Sequence, residues 1–91
     1  MELTELREQI DGIDADLIAL LERRMDVAAA IAAVKARTGK PVLDSVREAE
    51  KLDRVRSACR AETADGIAAV FEAIMAASRA RQTSLLEARH G

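Results

Sequence analysis

The sequence has few of the residues on which many enzyme sites and compact cores are built. Its 91 residues include one aromatic side chain, Phe71, one cysteine, Cys59, one proline and one histidine, His90. A core with a single aromatic ring must be aliphatic, and a lone cysteine cannot form an internal disulfide. A single histidine next to the C-terminus gives little support for catalysis by a histidine base. These absences exclude a disulfide-stapled scaffold and a Cys/His zinc site.

Several sequence motifs are missing as well. The chain contains no glycine-rich phosphate loop, no serine elbow and no apolar run long enough to cross a membrane. Its N-terminus is a charged amphipathic segment rather than a signal peptide. The net charge of -2 gives no reason to expect nucleic-acid binding. We therefore expect one cytoplasmic domain spanning residues 1–91, without metal, cofactor, nucleic acid or membrane.

A long apolar heptad seam dominates the first 40 residues. With Leu3 and Leu6 taken as heptad a and d positions, nine of the ten seam sites up to Val34 are branched aliphatic, and the tenth is Arg24. No proline and no helix-ending glycine interrupts the pattern before Gly39. This periodicity predicts one helix from about Leu3 to about Thr38 whose seam packs against other helices.

This first helix is too long for a compact monomer. At 1.5 Å per residue, its roughly 36 residues span about 54 Å. A compact chain of this length has a diameter of roughly 31 Å. Because an overhanging apolar seam needs a partner, we expect an all-α homodimer with intertwined helices.

Two further helices are predicted after the loop that contains Pro41. The first runs from about Ser45 to Cys59, with Ser45 and Glu48 at capping-box spacing and Asp44 placed favourably for the helix dipole. The last runs from about Asp65 to Ala88, with Thr63 or Asp65 as its cap. Its apolar stripe comprises Ile67, Val70, Phe71, Ile74 and Met75. On the same face, the polar residues Ser78 and Gln82 follow at helical spacing.

The polar residues on the apolar faces suggest an anion site. A guanidinium in the seam must lose water, so Arg24 needs a carboxylate partner or an anionic ligand. Lys35 lies about 20° around the helix from Arg24 and about 16 Å along it, so both side chains can grip one small dianion. Arg7 lies about 25 Å from Arg24 along the axis, and reaches such a ligand only from the partner of an antiparallel dimer.

Each of these residues also has a purely structural interpretation. Arg7 at a heptad e position is commonly a solvated or salt-bridged residue, and Lys35 at the same position near a helix end suits the helix dipole. Arg24 can pair with a structural carboxylate. Ser78 and Gln82 can hydrogen-bond within a core. Taken together, however, these side chains can bind and polarise an anion, although they include no obvious nucleophile.

The chain resembles the all-helical class of chorismate mutases over nearly its whole length. The resemblance runs through the segments LREQID, LLERRMDVAAAIAAVK, KPVLDSVREAEKL and SRARQTSLL. It implies a dimer of three-helix subunits that rearranges chorismate to prephenate in aromatic amino-acid biosynthesis. One departure is Arg79, where an aliphatic residue often lines the family's pocket, and another is Met75 in place of a branched aliphatic residue.

The resemblance also implies a role for each site residue. The partner's Arg7 and the chain's own Arg24 would hold the two carboxylates. Lys35 and Gln82 would face the ether oxygen, so that Arg24, Lys35 and Gln82 form the catalytic group. Glu48, helped by Asp44, would hold the ring hydroxyl. Arg47 and Ser78 would complete the polar wall.

Three alternatives remain open from the sequence. Isochorismate-pyruvate lyase shares the fold and a similar cationic site, and the stretch RRMD resembles that subgroup. A mutase of 4-amino-4-deoxychorismate is excluded only weakly. A non-catalytic helical dimer scaffold would explain the heptads, but it would not explain polar residues at 24, 78 and 82 together.

Overall fold

The computed structural model describes residues 1–90, except the side chain of His90, as three α-helices joined by short connections. They are α1 (Leu3–Thr38), α2 (Ser45–Ala58) and α3 (Ala61–His90), and the described chain contains no strand. The principal extents are 54 × 26 × 14 Å, and the radius of gyration is 16.4 Å. A compact chain of this length would have a radius of gyration near 12 Å. The predicted all-α class and the elongated shape are therefore confirmed.

Helix α1 begins at Leu3 and ends at Thr38, as its heptad pattern predicted. Gly39 follows with φ 68°, a left-handed conformation that glycine adopts without steric cost, and its backbone N–H donates to the carbonyl of Lys35. The N–H of Lys40 donates to the same carbonyl over 3.1 Å. This cap ends α1 just beyond Lys35 and turns the chain back towards α2.

The start of α2 differs from the predicted capping box. Asp44, not Ser45, is the N-cap residue, and its Oδ1 accepts from the backbone N–H of Arg47 over 3.0 Å. A carboxylate suits this position because it satisfies a free N–H and carries negative charge at the positive end of the helix dipole. Glu48 is consequently not needed as a capping residue, and its side chain points to α3 instead. The helix ends at Ala58, one residue before the predicted end.

Helix α3 begins four residues earlier than predicted and extends to His90. The carbonyl of Arg60 accepts from the N–H groups of Thr63 and Ala64 over 3.1 and 3.0 Å, so the first turn is already closed there. Neither Thr63 nor Asp65 is the cap: Thr63 donates its hydroxyl to the Arg60 carbonyl, and Asp65 pairs with Arg56 of α2. The start of α3, predicted from candidate capping residues alone, was therefore wrong by four residues.

Helix α3 is the element that holds the subunit together. It packs against both α1 and α2, whereas α1 and α2 do not pack on each other over the described residues. The buried positions of α3 include Ala68, Met75, Ser78 and Gln82, while Ile67 and Val70 of the predicted stripe are exposed. On α1 the buried residues are alanines, Ala28 and Ala32, which let the helix backbones approach closely.

The heptad seam of α1 lies outside this packing. All nine of its aliphatic residues are 42 to 60% exposed in the single chain. They are Leu3, Leu6, Ile10, Ile13, Leu17, Leu20, Val27, Ile31 and Val34. The intrachain contacts of α1 therefore use a different face, centred on Ala28 and Ala32, and leave the aliphatic residues of the seam exposed. No helix among residues 1–90 has the length and apolar character that crossing a membrane requires.

Candidate functional site

A cavity of about 450 Å³ opens where α1, α2 and α3 meet. Seven of the eight residues predicted for the site line it. They are Arg24, Lys35, Asp44, Arg47, Glu48, Ser78 and Gln82. The heptad pattern of α1, the cap of α2 and the polar face of α3 thus converge on one place, although they are far apart in the sequence.

The cavity carries a charge opposite to that of the whole chain. Five cationic side chains and two carboxylates line it, a formal excess of three positive charges in a protein of net charge -2. Like charges crowded into a concave site repel one another and are retained where an anion binds between them. The cavity is therefore suited to a small ligand with more than one negative charge.

Lys35 is fixed in the cavity by the loop after α1. Its ammonium Nζ donates to the backbone carbonyl of Val42 over 2.7 Å. An ammonium has three donors, so this bond orients the group and leaves two donors for a ligand. The loop thus depends on Gly39, whose left-handed conformation brings Val42 back beside Lys35.

Among the described residues, Ser78 and Gln82 are the two buried polar side chains, 8% and 5% exposed. Gln82 Nε2 donates to Ser78 Oγ over 3.2 Å, one helical turn away on α3. Gln82 Oε1 is buried without a hydrogen-bond partner among the described residues. Since buried polar atoms are nearly always paired, the free end of this amide indicates a place where a bound molecule completes its hydrogen bonds.

Glu48 and Arg79 form an ion pair between α2 and α3 inside the cavity. Arg79 Nη1 donates to Glu48 Oε1, and the two side chains are 33% and 24% exposed. Asp44 caps α2 by accepting a hydrogen bond from the backbone N–H of Arg47. Both Asp44 and Arg47 are more exposed than Glu48. The second helix and its cap therefore supply three of the predicted charged residues, of which Glu48 is the most enclosed.

Arg7 is the predicted site residue that does not line this cavity. It is exposed on the N-terminal third of α1, on the same helix as Arg24 but well removed along the axis. That position agrees with the sequence expectation that Arg7 does not serve the site of its own chain. Its assignment to a partner's site stays a prediction.

Besides the Glu48–Arg79 pair, two features of the site were missed by the sequence reasoning. One is Lys51, a further cation of the cavity, which lies one turn beyond Arg47 on α2 and is half-buried. Its helical spacing from Arg47 and Glu48 was a signal that could have found it. The other is the Val42 carbonyl that orients Lys35. Every residue has a backbone carbonyl, so the residue types in a loop do not show which carbonyl accepts a hydrogen bond.

The remainder of the wall is apolar. Val27, Ala28 and Ile31 contribute it from α1, and Met75 from α3. Apolar groups lower the local dielectric constant and so strengthen the electrostatic interactions of the charged groups beside them. Within the described residues, no group of three or more His, Cys, Asp and Glu is placed to hold a metal ion.

Comparisons with known proteins agree with the predicted resemblance. The family model described as chorismate mutase type II matches residues 6–83. A chorismate mutase of Methanocaldococcus jannaschii is 33% identical over 89 residues, covering 94% of this chain and 89% of that protein. An intracellular chorismate mutase of Mycobacterium tuberculosis is 38% identical over 53 residues, covering 58% of this chain and 50% of the relative.

A longer relative shows the same segment inside a larger protein. The bifunctional chorismate mutase/prephenate dehydratase of Escherichia coli is 33% identical over 87 residues, which are 93% of this chain and 22% of that protein. No solved structure gives a significant match. The family model covers most of the chain, including every predicted site residue, and the Methanocaldococcus relative is matched over most of its own length. The chain therefore belongs to the chorismate mutase type II family, and it is an enzyme of the isomerase class.

Proposed function

We propose that this chain rearranges chorismate to prephenate in the cavity between its three helices, as the mutase step of aromatic amino-acid biosynthesis. Family membership supports the reaction, and the cationic cavity that gathers seven predicted residues is the observation that supports the site. The rearrangement is unimolecular and pericyclic, so it requires neither a nucleophile nor a cofactor. What it does require is a conformational clamp and stabilisation of developing charge.

The clamp holds the two carboxylates of chorismate. Arg24, half-buried in the cavity wall, pairs with one carboxylate through its planar guanidinium. Arg7 of a second subunit pairs with the other. Fixing both ends holds the substrate in its reactive pseudo-diaxial form and removes much of the entropic cost of reaching the transition state.

Lys35 and Gln82 act on the ether oxygen, which gains negative charge as its bond to the ring breaks. The Val42 carbonyl holds the Lys35 ammonium and leaves it two free donors. Turning the Gln82 amide over puts its N–H₂ group at the free, unpartnered end and lets Oε1 accept from the Ser78 hydroxyl, since a hydroxyl can donate as well as accept. Both donors are then in place before the charge develops, which is the condition for electrostatic catalysis.

Glu48 accepts a hydrogen bond from the ring hydroxyl of the substrate. Glu48 belongs to the first turn of α2, lines the cavity and is paired with Arg79 of α3. Asp44 supports this region by capping the helix that carries Glu48. Arg47 and Ser78 complete the polar wall, with Ser78 acting through the Gln82 amide.

A second copy of the chain covers the exposed seam of α1. Nine aliphatic residues that are 42 to 60% exposed form an apolar face along a 36-residue helix, interrupted by Arg24. Burying this face in a twofold dimer removes it from water, which is the main favourable term in association. An antiparallel arrangement also carries Arg7 about 25 Å along the axis towards the partner's Arg24. The active unit is accordingly a homodimer with two shared sites, and we place it in the cytoplasm.

Product analysis tests the reaction directly. Purified protein is incubated separately with chorismate and with isochorismate, without metal or cofactor, and the products are separated by chromatography. Prephenate from chorismate, with little salicylate from isochorismate, is the expected result. Salicylate and pyruvate as the dominant products would instead assign the chain to the lyase reaction. Turnover of neither substrate would contradict both, and 4-amino-4-deoxychorismate would be tested next.

A further inference from the structure

Five cationic side chains line the cavity. Among the described residues, Arg79 is the one of these five that forms an ion pair with a carboxylate. Its Nη1 donates to Glu48 Oε1, and both side chains are largely shielded, at 33% and 24% exposure. A charge-assisted pair in such surroundings is stronger and more directional than the same pair on an open surface. The contact therefore fixes Glu48 at a defined position inside the cavity.

The pair leaves half of the Glu48 carboxylate available. Oε1 is engaged by Arg79, whereas Oε2 accepts no side-chain hydrogen bond from the described residues. A carboxylate has acceptor capacity on both oxygens, so Oε2 can still accept a hydroxyl proton. Arg79 thus orients Glu48 without occupying the oxygen that a ligand would use.

The charge of Glu48 also needs an opposing cation. A substrate with two carboxylates brings two negative charges into the same cavity, and an unpaired Glu48 would repel them. Arg79 offsets the negative charge of Glu48 through their ion pair. Arg24 and Lys35 are then left free to act on the substrate, because neither is required to neutralise Glu48.

We propose that Arg79 is a positioning residue, which holds the Glu48 carboxylate in place and offsets its charge so that Glu48 can bind the ring hydroxyl of a dianionic substrate. The proposal rests on the proposed function, in which Glu48 takes that hydroxyl. It predicts that Arg79 acts through Glu48 and not through general packing of α3.

The chain offers a matched control for this proposal. Arg56 and Asp65 form a second ion pair between the same two helices, at 48% and 95% side-chain exposure. Neither residue lines the cavity. If an ion pair between α2 and α3 matters only for holding the helices together, loss of either pair should affect the enzyme in the same way.

The test is a double-mutant cycle on the full-length chain. Arg79→Met, Glu48→Gln and the double variant are compared with Arg79→Lys and with the control Arg56→Met. For each, kcat and KM for chorismate are measured together with the thermal unfolding midpoint. Arg79→Met should lower kcat/KM about tenfold, since a shielded charge-assisted bond is lost and a carboxylate is left unpaired. Arg79→Lys should recover part of this loss, and Arg56→Met should leave kcat/KM within about twofold.

The decisive comparison is the effect of Arg79→Met in the two backgrounds. With Glu48 replaced by glutamine there is no charge to offset, so Arg79→Met should change kcat/KM by less than about twofold. An equal loss in both backgrounds would overturn the proposal, because it would show that Arg79 acts on packing or directly on substrate. Wild-type activity of Arg79→Met beside an impaired Glu48→Gln would also overturn it while leaving the Glu48 role intact. Wild-type activity of Glu48→Gln alone would show that the ring hydroxyl needs only an acceptor oxygen at position 48, which glutamine keeps. The comparison of Arg79→Met in the two backgrounds would still decide this inference, and product analysis of the wild type tests the proposed function separately.

Discussion

Ser78 and Gln82 are linked on the buried face of α3, where Gln82 Nε2 lies 3.2 Å from Ser78 Oγ. Because the two residues are four apart on one helix, the geometry of the link is set by the helix itself. The hydroxyl restrains the amide of Gln82, a residue that lines the cavity and whose Oε1 is buried without a partner among the described residues. Two polar residues on an apolar face are in this way joined, and we propose that Ser78 supports the Gln82 amide in catalysis.

Removing the hydroxyl should weaken catalysis without unfolding the chain. We expect Ser78→Ala to lower kcat/KM about two- to tenfold, the range that loss of one net hydrogen bond produces. Ser84→Ala, at an exposed position of the same helix, serves as the control. Steady-state kinetics of the two variants measure the difference. Equal kinetics for Ser78→Ala and wild type would mean that the Gln82 amide does not depend on Ser78.

An amide at position 82 should make catalysis independent of acid. Gln82 donates without titrating, so wild-type activity should change little between pH 5 and pH 8. In Gln82→Glu only the protonated acid can donate to the ether oxygen. A glutamic acid has an ordinary pKa of about 4.3, and burial raises it, so the active form is lost as pH rises. We expect activity of this variant to be more than about tenfold higher at pH 5 than at pH 8.

The control for this pH effect is Gln82→Met, which fills a similar volume and cannot donate at either pH. Its activity should be low and flat across the range. A Gln82→Glu profile as flat as that of the wild type would remove Gln82 from the reaction. Initial rates in buffers of matched ionic strength provide the comparison.

Much of this architecture was predictable because α1 is so regular. The heptad pattern from Leu3 to Val34 and the stop at Gly39 gave both helix ends, and the length of α1 gave the elongated shape. The polar interruptions at Arg24, Ser78 and Gln82 marked the cavity, since apolar faces tolerate such residues only where a partner exists. The periodicity of the apolar residues therefore predicted the fold, and the polar residues that interrupt it predicted most of the site.

The features that escaped prediction depend on tertiary contacts. The capping box expected at Ser45 and Glu48 failed because Asp44 was the better cap, which released Glu48 to meet Arg79 across the interhelical space. A pair separated by 31 positions has no local sequence signal. The start of α3 was misplaced because the Arg60 backbone closes the first turn without a capping side chain.

A charge in the α1 seam should separate the proposed dimer. Leu17 lies at a heptad a position and is 48% exposed in the single chain. In Leu17→Asp the carboxylate costs little in a monomer, but it must lose water in each half of a dimer that buries the seam. Sedimentation velocity should show a monomer, and activity should fall with it. The exposed control Ala19→Asp, away from the seam, should remain dimeric, whereas a stable Leu17→Asp dimer would mean that another face forms the interface.

Replacement of Arg24 separates its role in the ligand site from a structural one. The proposed clamp loses a charge-assisted contact in Arg24→Ala, and kcat/KM should drop about a hundredfold or more. The dimer should persist, since alanine in the seam removes a group that is costly to bury. Sedimentation and kinetics on the same sample test both statements. Dissociation of the dimer would show instead that Arg24 is a structural seam residue.

Sharing of the site between subunits can be tested by mixing two inactive variants. Arg7→Ala and Arg24→Ala should each be nearly inactive as homodimers, because every site lacks one arginine of the clamp. In a mixed dimer, the site of the Arg7→Ala subunit keeps its own Arg24 and receives Arg7 from its partner, so it is complete. The other site lacks both arginines.

Random reassortment of equal amounts gives mixed dimers for half of the population, with one complete site of two, so about a quarter of wild-type activity should return. The subunits are exchanged by unfolding and refolding them together, and each variant refolded alone is the control. Activity that stays at the level of the separate variants, with mixed dimers demonstrated by differently tagged chains, would mean that Arg7 and Arg24 serve the same chain. Recovery near a quarter requires that each site takes one arginine from each subunit, because no arrangement within a single chain can restore a complete pair.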